Sequence, residues 1–231
     1  MSAGPRIGVV TFPGSLDDED MRLALAATGA EPVAIWHAED RLPSDLGALV
    51  LPGGFSYGDY LRCGAIARAA PIMGAVRAFA ADGGPVLGVC NGFQILCEAG
   101  LLPGVLRPNR QLEYVCRDVT LVVEENRAVA LGGVEPGFEL VLPIKHGEGN
   151  WYTDDDTYAQ LADGGQIAFR YTEDVNGARD RVAGVCNEAG NVLGLMPHPE
   201  HAVDALLGPT GGEPVLAGLV VAARDRLGVA V

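Results

Sequence analysis

Short apolar runs alternate with longer amphipathic stretches through the first half of the chain. The runs are four or five residues long and occupy residues 7–10, 33–36, 48–51 and 85–89. Runs of this length are typical of buried strands, whereas the stretches that end at Gly29 and Gly83 have helical spacing. Such alternation predicts βαβ units and therefore a parallel sheet.

The second half changes to the two-residue period of half-buried strands. Apolar and polar residues alternate over 119–123, and residues 182–187 and 192–196 flank a turn-like segment. This pattern predicts antiparallel strands and a hairpin. A last helix is predicted to begin near Pro214, because its apolar side chains form one stripe that can pack against the sheet.

Together these elements predict a flavodoxin-like three-layer α/β/α sandwich. Its central sheet should be mostly parallel, with an antiparallel excursion in the second half. A chain of 231 residues, 48% of them hydrophobic, can bury one such core. The sequence contains no repeat, low-complexity tract or linker, so residues 1–231 are expected to form a single domain.

Charge, hydropathy and cysteine content argue against several classes of protein. Thirty acidic residues against sixteen basic ones give a net charge of -14, which disfavours nucleic-acid binding. No apolar stretch approaches the roughly 20 residues of a membrane helix, and Met1 leads straight towards a strand rather than a signal peptide, so a cytoplasmic protein is predicted. Five scattered cysteines without a Cys-x-x-Cys pair argue against a disulfide framework and a zinc knuckle.

The segment 88–92, Gly-Val-Cys-Asn-Gly, joins the fourth apolar run to a short helix-like stretch. Small residues two before and two after Cys90 match the nucleophile-elbow pattern, with cysteine in the serine position. A helix start favours the thiolate, and the N–H of Asn91 is expected to face the oxyanion that develops during attack on a carbonyl. A tight turn with a packed, unreactive thiol would give the same pattern.

A cysteine nucleophile needs a base, and the chain has four histidines. His198 stands between two prolines, so the backbone there should be extended, and Glu200 can lie beside the imidazole. A carboxylate there would fix the tautomer and stabilise the imidazolium, which favours a triad of Cys90, His198 and Glu200. The pair could instead bind a metal together with His201, but the helical spacing of zinc ligands is missing, and no metal is expected.

Two further segments bear on the site. Gly53 and Gly54 follow the run 48–51 and should lie at the same sheet edge as Cys90, where a backbone N–H can serve as second oxyanion donor. The acidic run 17–20 is expected to be a solvated helix start without a catalytic role.

These motifs resemble those of the class I glutamine amidotransferases, and more narrowly the glutaminase subunits of phosphoribosylformylglycinamidine synthases. The matching segments are residues 51–64, 88–94, 146–150 and 197–200. The resemblance covers essentially the full chain. It implies hydrolysis of glutamine through a thioester on Cys90, with the N–H groups of Gly54 and Asn91 stabilising the oxyanion and Gln94 binding the substrate amide.

The resemblance also implies a partner for the ammonia. That partner is a separate ATP-dependent synthetase subunit, using ATP and magnesium, which converts formylglycinamide ribonucleotide to the amidine in purine biosynthesis, often with a small bridging subunit. No cofactor is expected on this chain. The loops that rim the site form the hypothetical docking face, whose residues are Phe55, Asp59, Arg62, His146 and Glu148.

Three alternatives stay open. The chain could be the glutaminase subunit of another amidotransferase, a related cysteine-dependent peptidase, or a noncatalytic binding subunit. Over residues 16–18 it has Leu-Asp-Asp, where many family members have Asn-Cys-Asp, and at His201 they often have Arg. Neither departure touches the expected triad.

Overall fold

A computed structural model describes residues 4–228. The strands of this part of the chain are β1 Arg6–Thr11, β2 Glu31–Trp36, β3 Ala48–Leu51, β4 Val86–Val89, β5 Val105–Arg107, β6 Val115–Val123, β7 Glu139–His146, β8 Asn150–Tyr152, β9 Ile167–Tyr171, β10 Val182–Cys186 and β11 Val192–Leu195. Its α-helices are α1 Asp18–Ala27, α2 Ile72–Ala81, α3 Asn91–Glu98, α4 Asp155–Asp163 and α5 Glu213–Leu227. None of the helices within 4–228 has the length and apolarity needed to cross a membrane.

Nine strands form one mixed sheet in the order β2-β1-β3-β4-β11-β10-β9-β6-β7. Neighbours among the first five strands pair in parallel, and the remaining pairings are antiparallel. Strands β5 and β8 form a separate two-stranded ribbon. The predicted class, a mostly parallel α/β sheet with an antiparallel excursion, is confirmed.

The central strands are uniform apolar runs because helices cover both faces of a parallel sheet. Every residue of β3, β4 and β11 is buried. Helix α5 begins with Pro214 in its first turn, as the sequence predicts, and ends before Gly228, whose φ of 65° is the left-handed C-cap conformation. Its buried stripe is Val215, Leu216, Leu219, Val220 and Ala223.

Several elements were not predicted from the sequence, namely β7, β9, α4 and the β5–β8 ribbon. Strand β7 has the expected two-residue burial period, but Pro143 lies within it. Proline is tolerated there because β7 is an edge strand of the sheet. Helix α4 has Leu161 as its one buried residue and begins with acidic residues in its first turn.

The sheet order brings together the segments that were predicted to form the active site. Leu195, the last residue of β11, is in register with Val89, the last residue of β4, and Leu51 of β3 is in register with Gly88. The backbone N–H of Cys90 donates to the carbonyl of Leu195 at 2.8 Å. Residues that follow these three strands therefore meet at the carboxyl edge, where ligands bind in such sheets.

Candidate active site

Cys90 occupies a strained turn between β4 and α3. Its φ of 50° and ψ of -104° lie where few non-glycine residues are found, which is the conformation of a nucleophile elbow. The flanking glycines are needed for close packing: a Cβ on Gly92 would lie 1.8 Å from the carbonyl oxygen of Leu51, and one on Gly88 would lie 2.8 Å from the Gly92 backbone. The backbone geometry expected for a reactive cysteine is thus present.

His198 and Glu200 form a buried hydrogen-bonded pair. The Nδ1 of His198 lies 2.6 Å from Oε1 of Glu200, and the residues are 0% and 4% exposed. A carboxylate can only accept, so His198 donates its Nδ1–H, and Nε2 is left without a regular protein hydrogen bond among the described residues. Burial acts to lower the pKa of His198, but Glu200 and the neighbouring Cys90 outweigh burial and raise it.

The two expected oxyanion donors lie at the same place. Residue 54 has a φ of 142°, a conformation that favours glycine, and a Cβ there would lie 2.6 Å from the Gly14 carbonyl oxygen. The loop is fixed because Phe55 N–H donates to that oxygen at 2.8 Å and Ser56 N–H donates to the Asn91 side chain at 3.1 Å. Within residues 4–228, the N–H groups of Gly54 and Asn91 have no protein acceptor.

The thiol faces a cavity of about 210 Å³. This cavity shares lining residues with a smaller cavity of about 50 Å³. Cys90, Gly54 and Lys145 line both, and His198 lines the smaller one. A larger groove of about 760 Å³ lies elsewhere, beside α5, and its lining is mostly small and apolar with Asp225 and Arg226 as its charged members. The smaller cavities are lined by Cys90 and His198, the predicted nucleophile and base, and they are the candidate site.

Gln94 lies in this cavity but is already hydrogen-bonded. Its Nε2 donates to the Glu148 carbonyl at 2.7 Å, and its Oε1 accepts from Asn91 Nδ2 at 2.9 Å. The side-chain amide still has one N–H and one lone pair for a substrate. Gln94 therefore also holds the loop between β7 and β8 against α3.

The five docking candidates differ in exposure. Phe55 is 43% exposed, and Arg62 is exposed but paired with Glu98. Asp59 and Glu148 are half-buried, and burial together with the charge of Glu148 raises the pKa of Asp59. These four remain at or near the surface.

His146 is not on a docking surface. It is 3% exposed, and its Nδ1 donates to Asn109 Oδ1 at 3.1 Å, because the amide of Asn109 is oriented by donating to two carbonyls. Burial, followed by the charge of His198, lowers the pKa of His146 to about 4. His146 is therefore a neutral wall residue of the cavity.

Asp17 is the site residue that the sequence analysis missed. The expectation of a solvated acidic run is wrong at this position, since Asp17 is 2% exposed. Its Oδ2 lies 3.6 Å from Nδ1 of His198, and its Oδ1 is 3.2 Å from Nε2 of His201 and is also bound by Lys145. The only sequence signal is weak: Asp17 stands at the N-cap of α1, yet its side chain makes no cap hydrogen bond.

Four side chains lie close enough to be considered as metal ligands. One ligand atom from each of Asp17, His198, Glu200 and His201 falls within 4.8 Å of the others. However, Asp17 already forms an ion pair with Lys145, and the Nδ1 of His198 is already hydrogen-bonded to Glu200. The polar contacts of this group are those of an ion-pair network, so we assign it no metal.

Comparison with known proteins identifies the family. A family model described as the CobB/CobQ-like glutamine amidotransferase domain matches residues 4–213. Phosphoribosylformylglycinamidine synthase subunit PurQ of Rubrobacter xylanophilus is 54% identical over 220 residues, which are 95% of this chain and 99% of that protein. The chain belongs to the PurQ family of glutamine amidotransferases. The family resemblance stated from the motifs is confirmed.

One solved structure supports membership in the PurQ family, and a more distant one shares the fold. A structure described as PurLQS from Thermotoga maritima has a TM-score of 0.87 at 42% identity, and the match covers 94% of this chain and 98% of that one. Another glutamine amidotransferase from Thermotoga maritima has a TM-score of 0.60 at 17% identity, covering 96% of this chain and 97% of that one. The second likeness shows the fold alone.

Proposed function

We propose that this chain hydrolyses glutamine to glutamate and ammonia with the triad Cys90, His198 and Glu200, as the glutaminase component of a phosphoribosylformylglycinamidine synthase. The observation that carries the proposal is the buried 2.6 Å contact between His198 and Glu200 beside a cysteine in the elbow conformation. Membership in the PurQ family supplies the substrate class.

The proposed reaction begins with attack of the Cys90 thiolate on the carboxamide carbon of glutamine. The N–H groups of Gly54 and Asn91 stabilise the oxyanion of the tetrahedral intermediate. The His198 imidazolium protonates the departing nitrogen, so that ammonia leaves and a thioester remains. His198 then takes a proton from water, the hydroxide attacks the thioester, and collapse returns the thiolate and glutamate, while Glu200 holds the ring.

A glutamine-mimicking electrophile tests the proposal directly. We expect diazo-oxo-norleucine to alkylate Cys90, as found by peptide mapping, and glutamine to protect the thiol. An unreactive Cys90 would favour the noncatalytic alternative. Hydrolysis of peptides with no release of glutamate from free glutamine would favour the peptidase.

Replacing Glu200 with Gln should lower kcat by about 10³-fold, because a neutral amide can present its NH₂ group to Nδ1 and select the wrong tautomer of His198. Steady-state glutamate release measures the effect. Glu188→Gln, at an exposed hairpin position, is the matched control and should retain wild-type kcat. Equal activity of the two variants would contradict the role proposed for Glu200.

We propose further that the ammonia passes to an ATP-dependent synthetase subunit, which aminates formylglycinamide ribonucleotide with ATP and magnesium, and that a small bridging subunit joins the complex. The PurLQS relative from Thermotoga maritima supports an assembly of this kind. Exposed apolar side chains on the loops that line or adjoin the cavity supply a docking face: Leu16, Phe55, Tyr60, Leu61, Leu112 and Tyr114.

Leu61 provides a sharp test of this face. It is 89% exposed with a φ of 71°, a conformation in which Asn is better tolerated than Leu. Leu61→Asn should therefore leave the stability of the isolated chain unchanged or raise it by up to about 1 kcal/mol, while weakening synthetase binding by about tenfold. The control is Leu23→Asn on the outer face of α1, where Leu23 is 61% exposed. Unaltered binding by Leu61→Asn in a titration of the synthetase would place the docking face elsewhere.

We also propose that residues 1–231 form one amidotransferase domain. The family match over residues 4–213 supports this, as does α5, whose buried stripe packs on the same sheet. The expected result is a single cooperative unfolding transition seen alike by near- and far-ultraviolet circular dichroism.

A further inference from the structure

Asp17 lies beside the base of the proposed triad, where the proposed mechanism gives it no role. Its carboxylate is buried, and Oδ2 is 3.6 Å from the same Nδ1 of His198 that binds Glu200. The imidazole of His198 thus has two carboxylates on one side. At these distances each favours the charged form of the ring.

The position of Asp17 is fixed from several directions. Lys145 from β7 and His201 bind its Oδ1. The backbone N–H of Asp17 donates to the Gly53 carbonyl at 3.3 Å, one residue before the oxyanion donor Gly54. A Cβ on Gly53 would lie 2.4 Å from Oδ2 of Asp17 and 2.7 Å from Cε1 of His198, so the bare glycine lets carboxylate and ring approach.

The charges around Asp17 indicate a role beyond folding. Burial would raise the pKa of Asp17, but His201, His198 and Lys145 together lower it well below the usual range, so the group stays ionised. The interaction is mutual, since the charge of His198 that stabilises the Asp17 carboxylate is stabilised by it to the same extent. Keeping a buried carboxylate ionised costs desolvation free energy, which its cationic partners must offset.

We propose that Asp17 is a positioning residue for His198: together with Glu200 it holds the ring as an imidazolium, and through Gly53 it ties the ring to the oxyanion loop. Lys145 and His201 hold Asp17 in place. This inference rests on the proposed glutaminase mechanism, and it assigns to Asp17 no contact with substrate.

The pH dependence follows from the charges that face His198. They belong to Glu200 and His201 on its own segment, Asp17 before α1, Cys90 before α3, and His146 and Lys145 on β7. Removing the negative charge of Asp17 favours the neutral ring, so the imidazolium is lost at lower pH. The alkaline limb of kcat/KM should move to lower pH by about 1 unit.

The test uses the full chain reconstituted with its synthetase, ATP and the ribonucleotide. In Asp17→Asn we expect kcat to fall by about tenfold, the KM for glutamine to change little, and the alkaline limb to shift as stated. Asp20→Asn, three residues away and exposed, is the matched control and should behave as wild type. Asp17→Ala carries the same expectation if the Asn variant does not fold.

A second measurement is independent of the partner. The rate at which diazo-oxo-norleucine alkylates Cys90 in the chain alone should show the same displacement of its alkaline limb in Asp17→Asn. If a folded Asp17 variant has the same alkaline limb in its pH profile as the wild type, the inference is overturned. A rise in the KM for glutamine at constant kcat also overturns it. Wild-type protein that neither hydrolyses glutamine nor is alkylated overturns the proposed function itself, so the two failures are distinguishable.

Discussion

Replacement of Cys90 by serine is expected to reduce glutamate release by roughly 10⁵-fold. The hydroxyl has the same hydrogen-bonding positions, but it is not ionised beside His198 and is a far weaker nucleophile than a thiolate. Covalent labelling by diazo-oxo-norleucine should vanish with the activity, whereas the thermal unfolding midpoint should stay near that of wild type.

The control for this variant is Cys116→Ser. Cys116 is exposed on β6, so its replacement tests whether loss of any thiol affects the assay. Full activity of Cys116→Ser with none in Cys90→Ser assigns the chemistry to one sulfur. Substantial hydrolysis by Cys90→Ser would contradict the thioester mechanism.

Replacement of Gly92 by alanine is expected to cause the largest loss of stability. The new Cβ would lie 1.8 Å from the carbonyl oxygen and 2.6 Å from the carbonyl carbon of Leu51. Both are backbone atoms of a buried central strand and cannot rotate away, so α3 must shift from β3. We expect a loss of about 3 kcal/mol in the free energy of unfolding and a fall of about 10 °C in Tm.

The same variant should lose activity in the fraction that folds. The start of α3 carries both Cys90 and the N–H of Asn91, and a small shift separates them from Gly54 on the neighbouring loop. Urea unfolding and glutamate release measure the two effects. Gly74→Ala is the matched control, since Gly74 lies in α2 with no atom within 4 Å of the added Cβ, and alanine there should stabilise the helix by up to about 1 kcal/mol. Equal stability of the two variants would contradict the packing argument.

The proposed triad chemistry and the positioning role of Asp17 both involve the protonation state of His198. The triad requires that His198 can both give and take a proton during one turnover. Two carboxylates close to Nδ1 stabilise the imidazolium, so the neutral ring is a stronger base towards water and the imidazolium is a weaker acid towards departing ammonia. Loss of Asp17 is thus expected to slow hydrolysis of the thioester more than release of ammonia, so more thioester should accumulate.

Local patterns were sufficient for much of the fold and for part of the site. Neighbouring residues encode the apolar runs of β1, β3 and β4, the hairpin β10–β11 and the start of α5. Burial on both faces of a sheet and the formation of a turn each select residue types over a few consecutive positions. The elbow around Cys90 is equally local, because Gly88 and Gly92 are needed by the turn itself. The pairing of His198 with Glu200 was predicted from the two-residue repeat of an extended chain, but only His198 is extended, and a 3-10 turn at Pro199–His201 brings Glu200 to the ring.

Other features depend on contacts between distant parts of the chain. Asp17 binds Lys145 and His201 across separations of 128 and 184 residues, so an acidic run that would otherwise be solvated has one buried member. His146 is the last residue of β7, next to a glycine-rich loop typical of a surface, yet Asn109 holds its side chain inside the cavity wall.

By itself the sequence determined most elements of the parallel half of the sheet, the elbow, and the candidates for nucleophile, base and carboxylate. Only the tertiary structure decided that β11 lies beside β4, which brings His198 to Cys90, and that Asp17 is a second carboxylate at the same ring. The physical reason is that strand order and side-chain burial are set by the packing of the whole sheet, whereas helix, strand and turn preferences are set within a few residues.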